Sequence, residues 1–186
     1  GLLLGTGNAN SLYEVGRVAF RALEQARETI ARSIEARPDE IIFTSGATEA
    51  DNAALFGIVD ACMMKAEQSG DHECVPQVVV SSIEHEAVLE AAEVLGRWGA
   101  QVTCVEPDSS GHITPEALQE VLTDRVMLVS IMAVNNEVGS VMDIPALAQV
   151  VHKAGALFHV DATQALGKIP LSVKQWGVDA LSLSSH

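Results

Sequence analysis

The stretch VMLVSIMAVNNE, residues 126–137, decides the fold class. Residues 126–134 are apolar except for Ser130, without the polar alternation of a half-exposed strand. Such a run suits a strand buried on both faces, as in parallel sheets clad by helices. It ends in Asn135-Asn136-Glu137, so polar side chains gather where the strand stops. Downstream, residues 144–154 carry apolar positions at helical spacing, LFHV at 157–160 is a second buried strand, and residues 180–183 begin another. Upstream, Thr114-Pro115-Glu116 opens a helix, with Thr as cap and Pro at the first helical position. Before it come a strand at 102–105, a helix over 84–98, and a strand at Val78-Val79-Val80. A helix over 47–65 precedes these, and Glu40-Ile41-Ile42-Phe43-Thr44 reads as a short buried strand. From 11 to 36, Val15, Val18, Ala19, Ala22, Leu23, Ala26, Ile30 and Ile34 recur at helical intervals, which predicts a long amphipathic helix. Strand and helix alternate about five times, the pattern of a three-layer α/β/α fold with a mostly parallel sheet. Without a repeat, low-complexity tract or linker, residues 1–186 are expected to form one domain.

Composition narrows the function. Hydrophobic residues make up 48% of the chain and aromatics 4%, so the core must be Val, Ile, Leu and Ala. The formal charge of −14 repels polyanions, and no Lys/Arg stripe interrupts it; nucleic acid and anionic membrane are not expected as partners. No apolar run reaches membrane-spanning length and the first residues lack a basic leader, so a cytoplasmic location is the expectation. Cys62, Cys74 and Cys104 are widely spaced and fit no zinc or redox motif, and no histidine pair has metal-ligand spacing, so no metal is expected.

In open α/β sheets ligands bind beyond the carboxyl ends of the strands. Five such ends carry polar residues. In Ser45-Gly46-Ala47-Thr48 the glycine, the N–H groups of the next helix and the Thr48 hydroxyl could hold a phosphate; the same residues could be a plain helix cap with Ser45 or Thr48 as acceptor. Asp161 ends a buried strand, where a carboxylate needs a cationic or hydrogen-bonding partner. A protonated pyridine nitrogen would serve, and so would the Thr163-Gln164 turn that Asp161 could cap. His85, just after a strand, could stack on a flat ring and exchange protons, or be an ordinary half-buried histidine. Asn135 and Asn136 could donate to a ring hydroxyl or build a turn, and Ser184 with His186 could add phosphate donors or belong to a loop.

Taken in order, FTSGATEADN (43–52), EHEAV (84–88), VNNEVG (134–139), HVDATQ (159–164) and SLSSH (182–186) closely resemble the cysteine desulfurases, within the class V aminotransferase group of pyridoxal-phosphate enzymes. The likeness runs from about Gly7 to His186. It implies a large, cofactor-binding domain of a pyridoxal 5′-phosphate-dependent transferase. In it, Ala47, Thr48, Ser184 and His186 form the phosphate cup and His85 stacks on the ring. Asn136 and Gln164 bind the ring's phenolic oxygen, and Asp161 partners its nitrogen. The implied activity removes sulfur from L-cysteine, leaving alanine and an enzyme persulfide, in a homodimer that hands sulfur to an acceptor protein. Selenocysteine lyases and other members of the group are the neighbouring reading, and a catalytically dead binding module is the reading from another class. In the family the residue after the Ser-x-His segment is a lysine that bonds the cofactor. Also beyond this chain would be a small C-terminal domain with a nucleophilic cysteine and a substrate-carboxylate arginine, so the 186 residues by themselves are expected to be inactive. Within residues 7–17, Ala9 stands where the family usually has proline and Tyr13 where it has histidine, which leaves substrate preference open.

Overall fold

The computed structural model describes residues 14–185. Two compact units result. One holds the described residues up to Phe43 together with Leu171–Lys174; the other holds Thr44–Pro170 and resumes at Gln175.

In the larger unit, helix α2 (Ala47–Gln68) is followed by β1 (Gln77–Ser81), α3 (Glu86–Arg97), β2 (Gln101–Val105), α4 (Pro115–Val121) and β3 (Val126–Ser130). Then come α5 (Ile144–Lys153), β4 (Leu157–Asp161), the short α6 (Val173–Trp176), which straddles the two units, and β5 (Ala180–Ser182). The five strands stand in the order β2-β1-β3-β4-β5, and every ladder is parallel. The chain first steps outward from β1 to β2 and afterwards runs the other way through β3, β4 and β5. Because crossovers of this kind are right-handed, that reversal sends α3 to one face and α4 and α5 to the other. Accordingly α2 packs with α3, while α4 packs with α5. The reversal also opens a crevice between the carboxyl ends of β1 and β3.

Burial follows the apolar runs. Val78, Val79, Val80, Leu128 and Val129 are fully covered, and on one face Leu55, Val59, Val88, Ala91 and Leu95 close over Val78, Val80 and Leu128 as a continuous cluster. Thr114 caps α4 by accepting from the Ala117 N–H at 3.1 Å, and Asp143 caps α5 through the Ala146 N–H at 3.2 Å.

In the smaller unit, α1 (Glu14–Ser33) occupies most of the helix expected over 11–36; its expected opening at 11–13 lies outside the described residues, as does most of the 7–17 segment. It stops where Glu35 turns left-handed at φ 59°, letting the Ala36 N–H bond back to the Ala31 carbonyl at 2.9 Å. Of the expected apolar stripe, Ile34 alone is buried among the described side chains, beside Ala31, and the Val173 N–H bonds the Ile34 carbonyl at 3.0 Å; Val18 and Leu23 are exposed.

One expected element does not form. Residues 40–44 are not a buried strand: Pro38–Glu40 is a single 3-10 turn, the residues after it make no ladder, and Ile42 is 83% exposed. A strand exists only through a neighbour that satisfies its backbone, and no described segment pairs with this one. Arg27 holds it instead, bonding the Ile41 carbonyl and lying 4.8 Å from the Phe43 ring centre.

Candidate active site

A cavity of about 280 Å³ opens at the carboxyl ends of the strands, and all its walls come from the larger unit. Ala47, Thr48 and Asp51 of α2 form one wall, and His85 stands after β1. Met132, Val134 and Asn136 follow β3, while Asp161, Thr163, Gln164 and Ser184 follow β4 and β5. Of the eight residues expected here, seven are thus brought together; His186 lies outside the described residues.

The first turn of α2 is open to a ligand. Its N-cap is Gly46, which offers no side chain to the helix N–H groups. Neither Ser45 nor Thr48 caps; instead Glu49 reaches back, accepting from the Ser45 N–H at 2.7 Å and its hydroxyl at 2.5 Å, bonds that hold its carboxyl below the usual carboxylate range. Gly46 is extended, at φ 168°, and a Cβ built there would meet nothing within 4 Å. The positive end of a 22-residue helix therefore faces the cavity with Ala47 and Thr48 at its mouth, a ready place for a phosphate.

His85 is a helix cap as well as part of the cavity wall, and it is exposed rather than half-buried. Its Nδ1 accepts from the Ala87 N–H at 3.1 Å, which makes it the N-cap of α3 and leaves the proton of the neutral ring on Nε2. The exposed ring still lines the cavity. Asp161 is likewise both turn and site. Buried to 5% exposure, it accepts from the Thr163 N–H at 2.8 Å through Oδ1, which leaves a carboxylate with acceptor capacity for one cationic donor. The two asparagines divide the alternatives between them. Asn135 is the turn: its Oδ1 accepts from the N–H groups of Glu137 and Val138, both at 2.9 Å, and its Nδ2 donates to the Ile83 carbonyl at 3.0 Å. Asn136 lines the cavity. Gln164 turns its Oε1 to Lys168 at 2.5 Å, so its amide N–H groups are what remains for the cavity.

Sequence reasoning missed the layer beneath. His159, fully buried on β4, bonds Ser130 Oγ at 2.8 Å through Nδ1 and Ser182 Oγ at 2.9 Å through Nε2, and burial pushes its pKa down to about 4. Asp51 Oδ1 lies 3.7 Å from His159 Nε2; burial, then the charge of Asp161, pushes Asp51 up to about 7, against the opposing pull of the Ser182 hydroxyl and His85. Glu84 is pushed up to about 8, chiefly by burial, although its Oε1 accepts from the Ser81 hydroxyl and, at 2.8 Å, from the Met132 N–H. The signals were in the sequence: His159 shares a strand face with Asp161 two residues on, and Asp51 stands one turn from Ala47 and Thr48 on α2.

These donors suit pyridoxal phosphate: a helix N-terminus with Thr48 and Ser184 for the phosphate, a buried acid for the ring nitrogen, and an imidazole at the wall. The buried hydroxyl of Thr163, also on the cavity, has no partner among the described residues, an orphan that a bound ligand could satisfy. Among the described residues no group of three His, Cys, Asp or Glu could hold a metal ion.

Residues 3–186 match the family described as aminotransferase class-V. A cysteine desulfurase IscS of Dictyoglomus turgidum is 40% identical over 180 residues, covering 97% of this chain and 43% of that protein. One from Pseudomonas putida strain F1 is 43% identical over 188 residues, covering 99% and 44%. Among solved structures, SspA in complex with cysteine superposes with a TM-score of 0.88 at 34% identity, over 98% of this chain and 50% of that one. A NifS-like protein does so with a TM-score of 0.86 at 38% identity, over 97% and 47%. The chain spans less than half the length of these curated relatives.

Proposed function

This chain belongs to the class-V aminotransferase family of pyridoxal-phosphate enzymes, and we propose that it supplies the cofactor-binding part of a cysteine desulfurase. The single observation that carries the reading is the convergence of Thr48, His85, Asn136, Asp161, Gln164 and Ser184 on one cavity from separate loops and elements.

Bound there, pyridoxal phosphate supplies an electron sink for the carbanion formed next to the substrate's amino group. The chain's own residues set that up. The N–H groups at Ala47 and Thr48, with the hydroxyls of Thr48 and Ser184, would bind the phosphate. Asp161 would hold the ring nitrogen and favour its protonated form, which would keep the ring electron-poor. Asn136 and the Gln164 amide would donate to the phenolic oxygen. His85, its Nδ1 occupied by the Ala87 N–H, would lie against the ring and offer Nε2 for proton exchange. None of the three cysteines lines the cavity, and burial raises the Cys62 thiol, so the sulfur-accepting thiolate is assigned to none of them. SspA, solved with cysteine, supports an amino-acid substrate of this size. A cytoplasmic homodimer that passes sulfur to an acceptor protein completes the proposal.

The test is to give the full-length protein L-cysteine and measure alanine and protein-bound persulfide. In a single turnover, one persulfide is expected for each alanine. Release of sulfur without alanine, or turnover of other amino acids in preference to cysteine, would overturn the assignment.

A further inference from the structure

Asp51 takes part in none of the roles above, yet it forms part of the cavity wall. It is 1% exposed, and neither of its carboxyl oxygens completes a hydrogen bond among the described residues. Polar and ionisable groups face it from several elements that pack on α2. Asp161 and His159 face it from β4, the Ser182 hydroxyl from β5, and His85 and Glu84 from the turn ahead of α3. The Ser182 hydroxyl, 2.9 Å from His159 Nε2, pulls on Asp51 without completing a bond to it, and the 3.7 Å from that nitrogen to Asp51 Oδ1 is too long for a bond. Ser130 fixes the other nitrogen of the same ring. An under-satisfied buried carboxyl on a ligand cavity, next to a second carboxylate, calls for a functional account.

Resting on the cofactor reading, we propose that Asp51 is a positioning residue that works through Asp161: it holds a proton while the cavity is empty of cation and gives it up when a protonated pyridine ring arrives. Two like charges side by side in a buried site do not both ionise readily, so one carboxyl of the Asp51–Asp161 pair keeps a proton. Asp161, with Oδ1 stabilised by the Thr163 N–H, is the one better able to carry charge; Asp51, without a complete bond, is the one that stays neutral. A ring cation against Asp161 cancels the repulsion. Asp51 then releases its proton to solvent, and the site gains a second negative charge behind the first. The neutral imidazole of His159, donating to one serine hydroxyl and accepting from the other, keeps a competing cation out of the layer beneath.

The experiment uses the full-length protein stripped of cofactor, with 4′-deoxypyridoxine 5′-phosphate as probe, because its methyl group in place of the aldehyde cannot bond an amine. Calorimetric titrations in two buffers of different ionisation heat count the protons exchanged per ligand bound. With burial and then the charge of Asp161 pushing Asp51 up to about 7, the unsubstituted protein should release up to about half a proton more at pH 7 than Asp51→Asn does. Its affinity should also gain several-fold more than the variant's between pH 6 and 8. Identical proton counts in the two proteins would overturn the inference while leaving the cofactor site standing. Absence of binding to the unsubstituted protein would overturn both. Should Asp51→Asn fail to fold, labelling aspartate with ¹³C at the side-chain carboxyl provides the second measurement. One resonance should move toward the ionised position when the probe is added at pH 7, and no such movement would sink the proposal.

Discussion

A residue's neighbours in sequence state what it can do, and its neighbours in space choose among the options. Asp161 is the clearest case. Replacing it with alanine should weaken pyridoxal-phosphate binding by roughly ten- to a hundredfold, the loss of one charge-assisted bond in a buried place. Glu137→Ala, an exposed change on a turn whose backbone does the bonding, should shift affinity little. A titration of both variants checks the contrast, and equal effects would argue against the ring-nitrogen contact. The two asparagines make a second pair. Asn135→Ala removes four bonds from a buried amide and should cost about 2 to 3 kcal/mol in a urea unfolding experiment. Asn136→Ala should leave stability nearly unchanged and lower cofactor affinity. The sequence could name both residues but could not tell structural turn from cavity wall, because that depends on which amide meets the Ile83 carbonyl 52 residues away.

Elements form where local preference and tertiary partners agree. Thr114 caps α4 through the Ala117 N–H, so Thr114→Ala should lower stability by about 1 kcal/mol, read as a shift of the denaturant midpoint without a change of slope. Both signals for that helix, Thr at the cap and Pro at the first position, are local, and the sequence placed it correctly. The apolar run at 41–43 failed the same reasoning. Its composition is that of a strand, yet a strand is a relation between segments, and among the described residues nothing bonds to it. The α1 stripe teaches the same lesson, since periodicity marks a face able to be covered and says nothing of what covers it.

At the scale of the whole molecule, buried ionisable groups set the response to pH. Glu84 and Asp51 have folded-state pKa values raised to about 8 and about 7, so the folded chain holds protons that the unfolded chain has lost, and stability falls as pH rises through those values. His159 works in the opposite direction: with its folded value lowered to about 4, the unfolded chain takes up a proton below about 6.5 that the folded chain refuses. Between about pH 6.5 and 8 the two carboxyls act in the same direction, and thermal unfolding should show the midpoint falling across that window. Glu84→Gln keeps an Oε1 acceptor for Ser81 and the Met132 N–H but carries no charge. It should flatten the fall by about 1 to 2 kcal/mol across that window. A fall that persists in full would assign it elsewhere. The sequence by itself determined the strand-helix alternation, the parallel character of the sheet and seven of the wall residues, because buried runs, caps and strand ends are written within a few residues of one another. Only the tertiary structure decided that Asp51, Glu84 and His159 form a layer of buried ionisable groups at the cavity. Their protonation is fixed by burial and by like charges arriving from distant segments, and neither exists until the chain has folded.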